Sequence, residues 1–218
     1  MSLSHSLFSS TVFFAASIGC FGEAPAVSPL PPPDRDIPPG ATMKTVLAGG
    51  CFWGVEAVFR NVRGVMKAVS GYAGGEAKTA TYDQVSTGRT GHAEAVEVTF
   101  DSQVVSFGTL LRIFFSVAHD PTQKNRQGPD IGTQYRSAVF TVSPEQGEVV
   151  SAYIAKLEKS GLYPNPVATE ILPLSAFYPA EPYHQDFLDR NPSHPYIVTH
   201  DLPKLAALRK HFPDLVRV

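Results

Sequence analysis

A change of hydrophobic period at one cysteine constrains this chain more than any other feature. Met43 to Ala48 alternates apolar and polar positions, the two-residue repeat of a strand. Phe52, Val55, Val58, Phe59 and Val62 then recur at helical spacing. Gly49, Gly50 and Cys51 lie between, so strand must become helix within a tight, glycine-led turn, with the cysteine at or beside the helix N-terminus. Gly64 follows as a helix stop. Unpaired N–H groups at such a terminus favour a thiolate over a thiol. The same position also suits a buried structural thiol, the common fate of a lone cysteine. Trp53, the one tryptophan of the chain, belongs to this stretch.

A length of 218 residues allows one sizeable domain and an appendage. The formal charge of −2, with acids and bases interspersed, offers neither a nucleic-acid surface nor an acidic tail. Two cysteines, Cys20 and Cys51, make no disulfide framework. Leu7 to Phe21 is small and apolar, the length of a signal-peptide core. Ser17-Ile18-Gly19-Cys20 resembles a lipoprotein cleavage box, and Ala24-Pro25-Ala26 is an alternative small-x-small site. Against export, no Lys or Arg precedes the apolar run, and the box lacks a leucine three residues before its cysteine. The favoured expectation is an exported protein, periplasmic or lipid-anchored at Cys20; a cytoplasmic protein with an N-terminal extension is the alternative. The proline-rich residues that follow are expected to be an extended tether that packs no core. The organisation is then a possible signal or lipoprotein segment (1–24), a tether (25–42) and a catalytic domain (43–218).

Within the domain, Val65–Gly71 reads as a strand and Gly71–Gly75 as a loop, since three glycines in five residues break either regular structure. Thr79–Gly91 is irregular and polar, with Tyr82 inside it. Ser106 caps a helix over Phe107–Ala118, which His119-Asp120-Pro121 ends. Thr122–Gly132 is a polar loop, Tyr135–Val142 a strand, and Ser143-Pro144 opens a helix that runs to about Lys159. Val167–Leu172 is a further strand and Pro182–Arg190 a short helix. The tail after Pro192 is irregular until a last turn near Leu205–Lys210. Strand, helix, strand, strand, helix, strand is the order of an α+β, ferredoxin-like split βαβ core, here with an appended helix and strand.

The strand from Gly91 to Phe100 places Glu94 on one face with Val96, Val98 and Phe100. A carboxyl withdrawn from water there has its pKa raised and holds a proton near neutrality, as a general acid must. A solvated Glu94 at a loop end, with the apolar face beginning at Val96, fits the pattern equally.

These stretches resemble the methionine sulfoxide reductase A family, the peptide methionine-S-sulfoxide reductases. The matching pieces are Gly50–Gly54, Gly71–Gly75, Gly91–Val96, Gly132–Ser137 and Ala180–Gln185, in family order across roughly residues 43–195. The resemblance implies reduction of methionine-S-sulfoxide, protein-bound or free, as oxidative-damage repair. It casts Cys51 as the nucleophile attacking sulfur and Glu94 as the proton donor. Tyr82 and Tyr135 would hydrogen-bond the sulfoxide oxygen. Phe52 and Trp53 would form an apolar wall for the methyl group, and Asp130 would help bind substrate through its backbone or ordered water. Read from the residues alone, Tyr82 and Tyr135 are ordinary amphipathic tyrosines and Asp130 a turn residue. Adjacent helical residues such as Phe52 and Trp53 cannot face the same way, so at least one lines a surface or pocket. His119 and His184 read as structural or supporting residues. No set of His, Cys and carboxylates has metal-ligand spacing, and no bound cofactor is expected.

The chain departs from many family members in one respect: Ala180–Val218 contains no cysteine. The resemblance is therefore to the single-cysteine members. The Cys51 sulfenic acid would be reduced by an external thiol, either small or a thioredoxin- or glutaredoxin-like protein. An alternative keeps Cys20 free to reach Cys51 along the tether. The other partners implied are oxidised proteins and peptides, and the expected state is a monomer. Competing readings are a Cys51-dependent hydrolase or acyltransferase, a non-catalytic methionine-binding module, and a peroxidase.

Overall fold

The computed structural model of the chain describes residues 30–217. The leader expected over 1–24 and Cys20 lie outside the described residues. Along the chain run β1 (Thr42–Gly49), α1 (Phe52–Arg60), β2 (Val65–Ala73), α2 (Tyr82–Val85), β3 (Ala93–Asp101) and α3 (Phe107–Ile113). A small hairpin follows, β4 (Arg126–Gln127) and β5 (Asp130–Ile131), then β6 (Ser137–Thr141) and α4 (Pro144–Ser160). β7 (Glu170–Pro173), β8 (Phe177–Pro179), α5 (Phe187–Arg190) and α6 (Leu202–His211) complete the order. Widened π-type turns extend α3 over Phe114–Ala118 and lead into α6 over Ile197–Asp201.

The main sheet has the order β7-β6-β1-β3-β2-β8. Its middle, β6-β1-β3-β2, is antiparallel throughout, because each split βαβ unit brackets one strand of the other. The α+β core is thus the expected one, with α4 and β7 as the appended helix and strand, β7 lying parallel to β6. β8, paired to Gly71–Ala73, is an addition. Period two divides the sheet into two faces. Leu47, Val96, Val98 and Phe100 pack under the helices, while Val46, Ala48, Ala95, Ala138 and Phe140 form a smaller cluster on the other side. Val58 and Phe59 of α1 are fully buried in the first cluster. Each such side chain stabilises the fold by about 1.5–3 kcal/mol. α4 begins and ends as its residues dictate: the Ser143 side chain accepts from the Gln146 N–H, Pro144 follows, and Gly161 closes the helix in the left-handed region.

Several boundaries differ from expectation, each for a physical reason. Tyr72 and Ala73 continue β2 instead of entering a loop, because β8 supplies their ladder partners and the turn waits until Gly74, at φ 95°. Tyr135 lies in a short 3-10 turn over Thr133–Tyr135, ahead of β6. Only Phe187–Arg190 of the helix expected from Pro182 is helical. The tail is helical well before Leu205: the helical stretch opens at Pro195, and the widened π-type turn over Ile197–Asp201 comes directly before Pro203 and accommodates it. The described part of the proline-rich stretch, from Leu30, forms no regular element before β1, yet it is not free. Leu30 is fully buried, and the Tyr153 hydroxyl and Lys156 ammonium donate to the carbonyls of Pro31 and Pro32.

Candidate active site

β1 ends and α1 begins around one residue. Gly50, at φ 87°, makes the turn that an L side chain would strain, and its missing Cβ leaves room for Gln127. Cys51 is the N-cap of α1 and a free thiol, 9% exposed. Its side chain makes no capping hydrogen bond to the first turn of the helix. Contrary to the simple helix-terminus expectation, the thiol is held well above its ordinary pKa. Burial does most of this, the carboxylates of Glu94 and Asp201 add to it, and the Trp53 N–H and Lys204 oppose it.

Glu94 points from β3 into the helical side of the sheet and is 2% exposed, which settles the alternation in favour of a buried carboxyl. Its Oε2 accepts from the Phe52 N–H at 3.1 Å, one residue beyond the cysteine. Burial pushes Glu94 up to about 8, with Asp130 adding and the Phe52 N–H opposing. At neutral pH the carboxyl therefore carries a proton and repels a thiolate far less than its ionised form does.

Tyr82 opens α2, where its N–H donates to Glu181 Oε1 at 2.9 Å; the other oxygen of Glu181 accepts from the Tyr72 hydroxyl at 2.8 Å. Tyr135 reaches the same place from the turn before β6. The ionisation of both tyrosines is raised, first by burial and then by Glu94 and Cys51, so both hydroxyls stay protonated donors within electrostatic range of the thiol and the acid. Asp130 is more than a turn residue: its Oδ2 accepts from the Tyr196 hydroxyl.

Phe52 and Trp53 do part company. Phe52 is 1% exposed, its ring against Tyr72 and His184, so it backs the wall instead of facing outward. Trp53 is half-buried, flat against Phe187 with centroids 3.7 Å apart and edge-on to Tyr196 at 5.9 Å. Both rings meet His184, Phe52 at 5.0 Å and Trp53 at 5.8 Å between centroids, so the two residues expected to form the wall lie side by side across that imidazole. His119 is a neutral structural residue, pushed down to about 4 by burial and bonded to Ser137 Oγ.

Sequence reasoning missed Tyr196, Asp201 and Lys204, all brought in by the tail. Asp201 is fully buried, bonds Lys204 at 3.1 Å and packs where a Gly54 side chain would stand. Nothing local in the sequence marks these contacts. A separate groove of about 510 Å³, along β2 and the far end of α1, contains none of the site residues. Among the described residues no three His, Cys, Asp or Glu side chains are grouped as a metal site needs.

Together the site offers one buried sulfur nucleophile, one protonated carboxyl at the adjacent helix terminus, two phenol donors and one aromatic wall. A family model described as peptide methionine sulfoxide reductase matches residues 43–215. Among curated relatives, peptide methionine sulfoxide reductase MsrA 2 of Synechocystis sp. is 51% identical over 93% of this chain and 97% of its own length. Peptide methionine sulfoxide reductase MsrA of Thermus thermophilus is 52% identical over 78% and 96%. Among solved structures, reduced Mxr1 from Saccharomyces cerevisiae superposes with a TM-score of 0.65 at 37% identity, covering 72% of this chain and 90% of that one. Methionine sulfoxide reductase A of Corynebacterium diphtheriae gives 0.61 at 38% identity, over 79% and 87%.

Proposed function

Because the chain belongs to the peptide methionine sulfoxide reductase family, we infer that its Cys51 site reduces methionine-S-sulfoxide, in proteins or free, to methionine. Cys51, a thiol in the resting site, gives up its proton as its sulfur attacks the electrophilic sulfur. Glu94 protonates the oxygen, a poor leaving group until then. The Tyr82 and Tyr135 hydroxyls donate to the same oxygen, where negative charge gathers. Phe52 and Trp53 form the apolar wall that receives the methyl group, and Asp130 holds Tyr196 beside the indole. The oxygen passes to Cys51: thiol and sulfoxide become sulfenic acid and thioether. Two equivalents of an external thiol then return the thiol, with water and a disulfide as products. A thioredoxin- or glutaredoxin-like protein, or a small thiol, fills that role.

The observation that carries this reading is the pairing of Glu94 with Cys51. A carboxyl held neutral up to about pH 8 is bonded to the N–H that follows the nucleophile. The Leu7–Phe21 run and the Cys20 box support, as a further proposal, export or lipid anchorage of the enzyme.

The test is a single-turnover count without reductant, with S and R sulfoxides in separate tubes. The expected result is one methionine and one thiol lost per enzyme from the S isomer only, with a trappable sulfenic acid. Cys51→Ser should abolish it. Methionine from neither isomer, or activity in Cys51→Ser, would overturn the reading.

A further inference from the structure

Trp53 is the half-buried member of the wall, stacked on Phe187 and met edge-on by His194 and Tyr196, apolar contacts that leave the rotation of the indole in its own plane free. One contact removes that freedom: Trp53 Nε1–H donates to His184 Nδ1 at 3.1 Å. Accepting at Nδ1 fixes the neutral tautomer with its proton on Nε2, a buried atom that finds no partner among the described residues. The imidazole is 2% exposed and lies against Phe52 and Tyr82, with the Tyr82 ring 4.4 Å away. Its backbone is held on both sides. Gln185 exchanges hydrogen bonds with the Ser70 main chain, and the Asp186 N–H donates to the buried Glu56 carboxyl at 3.0 Å. Glu181, three residues earlier, bonds Tyr72 and Tyr82. A single short segment therefore ties the indole, one oxygen-binding tyrosine and the body of the sheet together, with His184 at its centre.

We propose that His184 is a positioning residue for the reaction, a neutral acceptor that sets the orientation in which Trp53 receives the methyl group of the sulfoxide. The proposal rests on the reading of Trp53 as the methyl seat. Burial keeps His184 below the usual histidine range, against the pull of Glu181, so the acceptor is unprotonated at neutral pH.

Trp53 is the one tryptophan of the chain, so emission reports on this indole alone. In the full chain, His184→Phe keeps a ring and removes the acceptor, while His184→Asn places an amide oxygen where Nδ1 stands. Single-turnover rates against S-sulfoxide concentration separate binding from chemistry. His184→Phe should raise the half-saturating concentration about tenfold and leave the limiting rate within about threefold, the scale of one lost buried hydrogen bond. It should also shift Trp53 emission and increase its quenching by acrylamide. His184→Asn should restore both. Unchanged emission and half-saturation in His184→Phe would overturn the proposal, as would equal damage in His184→Asn, which would point to ring packing. Trp53→Phe separates the two readings: unchanged half-saturation there removes the methyl seat and the functional half of this proposal, while emission of His184→Phe still decides whether the indole is clamped.

Discussion

Glu94 shows how one residue trades stability for chemistry. Its carboxyl titrates near 8 in the folded chain and near 4.3 when exposed, so between those values the folded state binds the extra proton. Stability should therefore fall as pH rises through this window, by about 1.4 kcal/mol per unit at most, and level off above 8. Glu56, raised to about 7, acts in the same direction. Glu94→Gln keeps an uncharged group on the Phe52 N–H and cannot ionise. It should be more stable than the parent in urea at pH 8 and little changed at pH 5, while single turnover slows about 10²–10⁴-fold. The parent's rate should lose its proton donor above about pH 8; turnover of Glu94→Gln equal to the parent's at pH 7 would remove Glu94 as the acid. Local repeats place Cys51 at a strand-to-helix turn and Glu94 near the start of a strand, but they left burial and role open for both, and the family resemblance supplied the roles. The poise of the thiol was not legible in the sequence, since it depends on burial and on Asp201, 150 residues away in the chain.

At the scale of elements, the junction of α1 with the tail decides whether the site is complete. Strands and the long helix α4 were readable from periodicity and caps, and so was the interleaved core. The tail after Pro192 was not, because three prolines in twelve residues hide a helical stretch that opens at Pro195 and passes Pro203 behind a widened turn. Yet Tyr196, Asp201 and Lys204 all reach the first turn of α1 from there. Gly54 permits the approach: a Cβ at this position would stand 2.1 Å from Asp201 Oδ1 and 2.7 Å from Lys204 Nζ. Asp201 cannot simply swing away, being fully buried and bonded to Lys204. Gly54→Ala should thus cost about 1–3 kcal/mol in urea unfolding despite the better helix propensity of alanine. It should also slow single turnover, by displacing Tyr196 from Trp53 and Asp130. A variant as stable and as fast as the parent would show that α1 and the tail have room for a methyl group between them.

For the whole molecule, the N-terminal arm sets both the true edge of the fold and the reach of the second cysteine. Composition alone read residues 25–42 as a tether, because prolines cannot build regular elements. It could not show that such an extended stretch has carbonyls to offer Tyr153 and Lys156 and one leucine to bury. The Leu30 N–H donates to Ser116, its carbonyl accepts from Arg112, and Asp36 accepts from the Gly108 N–H. Leu30→Ala should therefore destabilise by about 2–5 kcal/mol, as a core leucine does and a tether leucine does not. Pinning Leu30 also shortens the arm available to Cys20: ten residues extend at most about 35 Å, against roughly 100 Å if the chain were free up to Cys51. That reach still covers the site, since Leu30 is anchored on Ser116 and the neighbouring Phe114 packs against Gly49, so the thiol count decides: on the single-cysteine reading Cys51 should lose one thiol per methionine in the full chain and in Cys20→Ser alike. Two thiols lost per methionine in the full chain, falling to one in Cys20→Ser, would show instead that the arm delivers Cys20 to the sulfenic acid. If it does so by peeling away at its anchor, Leu30→Ala should speed that second loss, and the external thiol would act on a disulfide instead of on Cys51 itself.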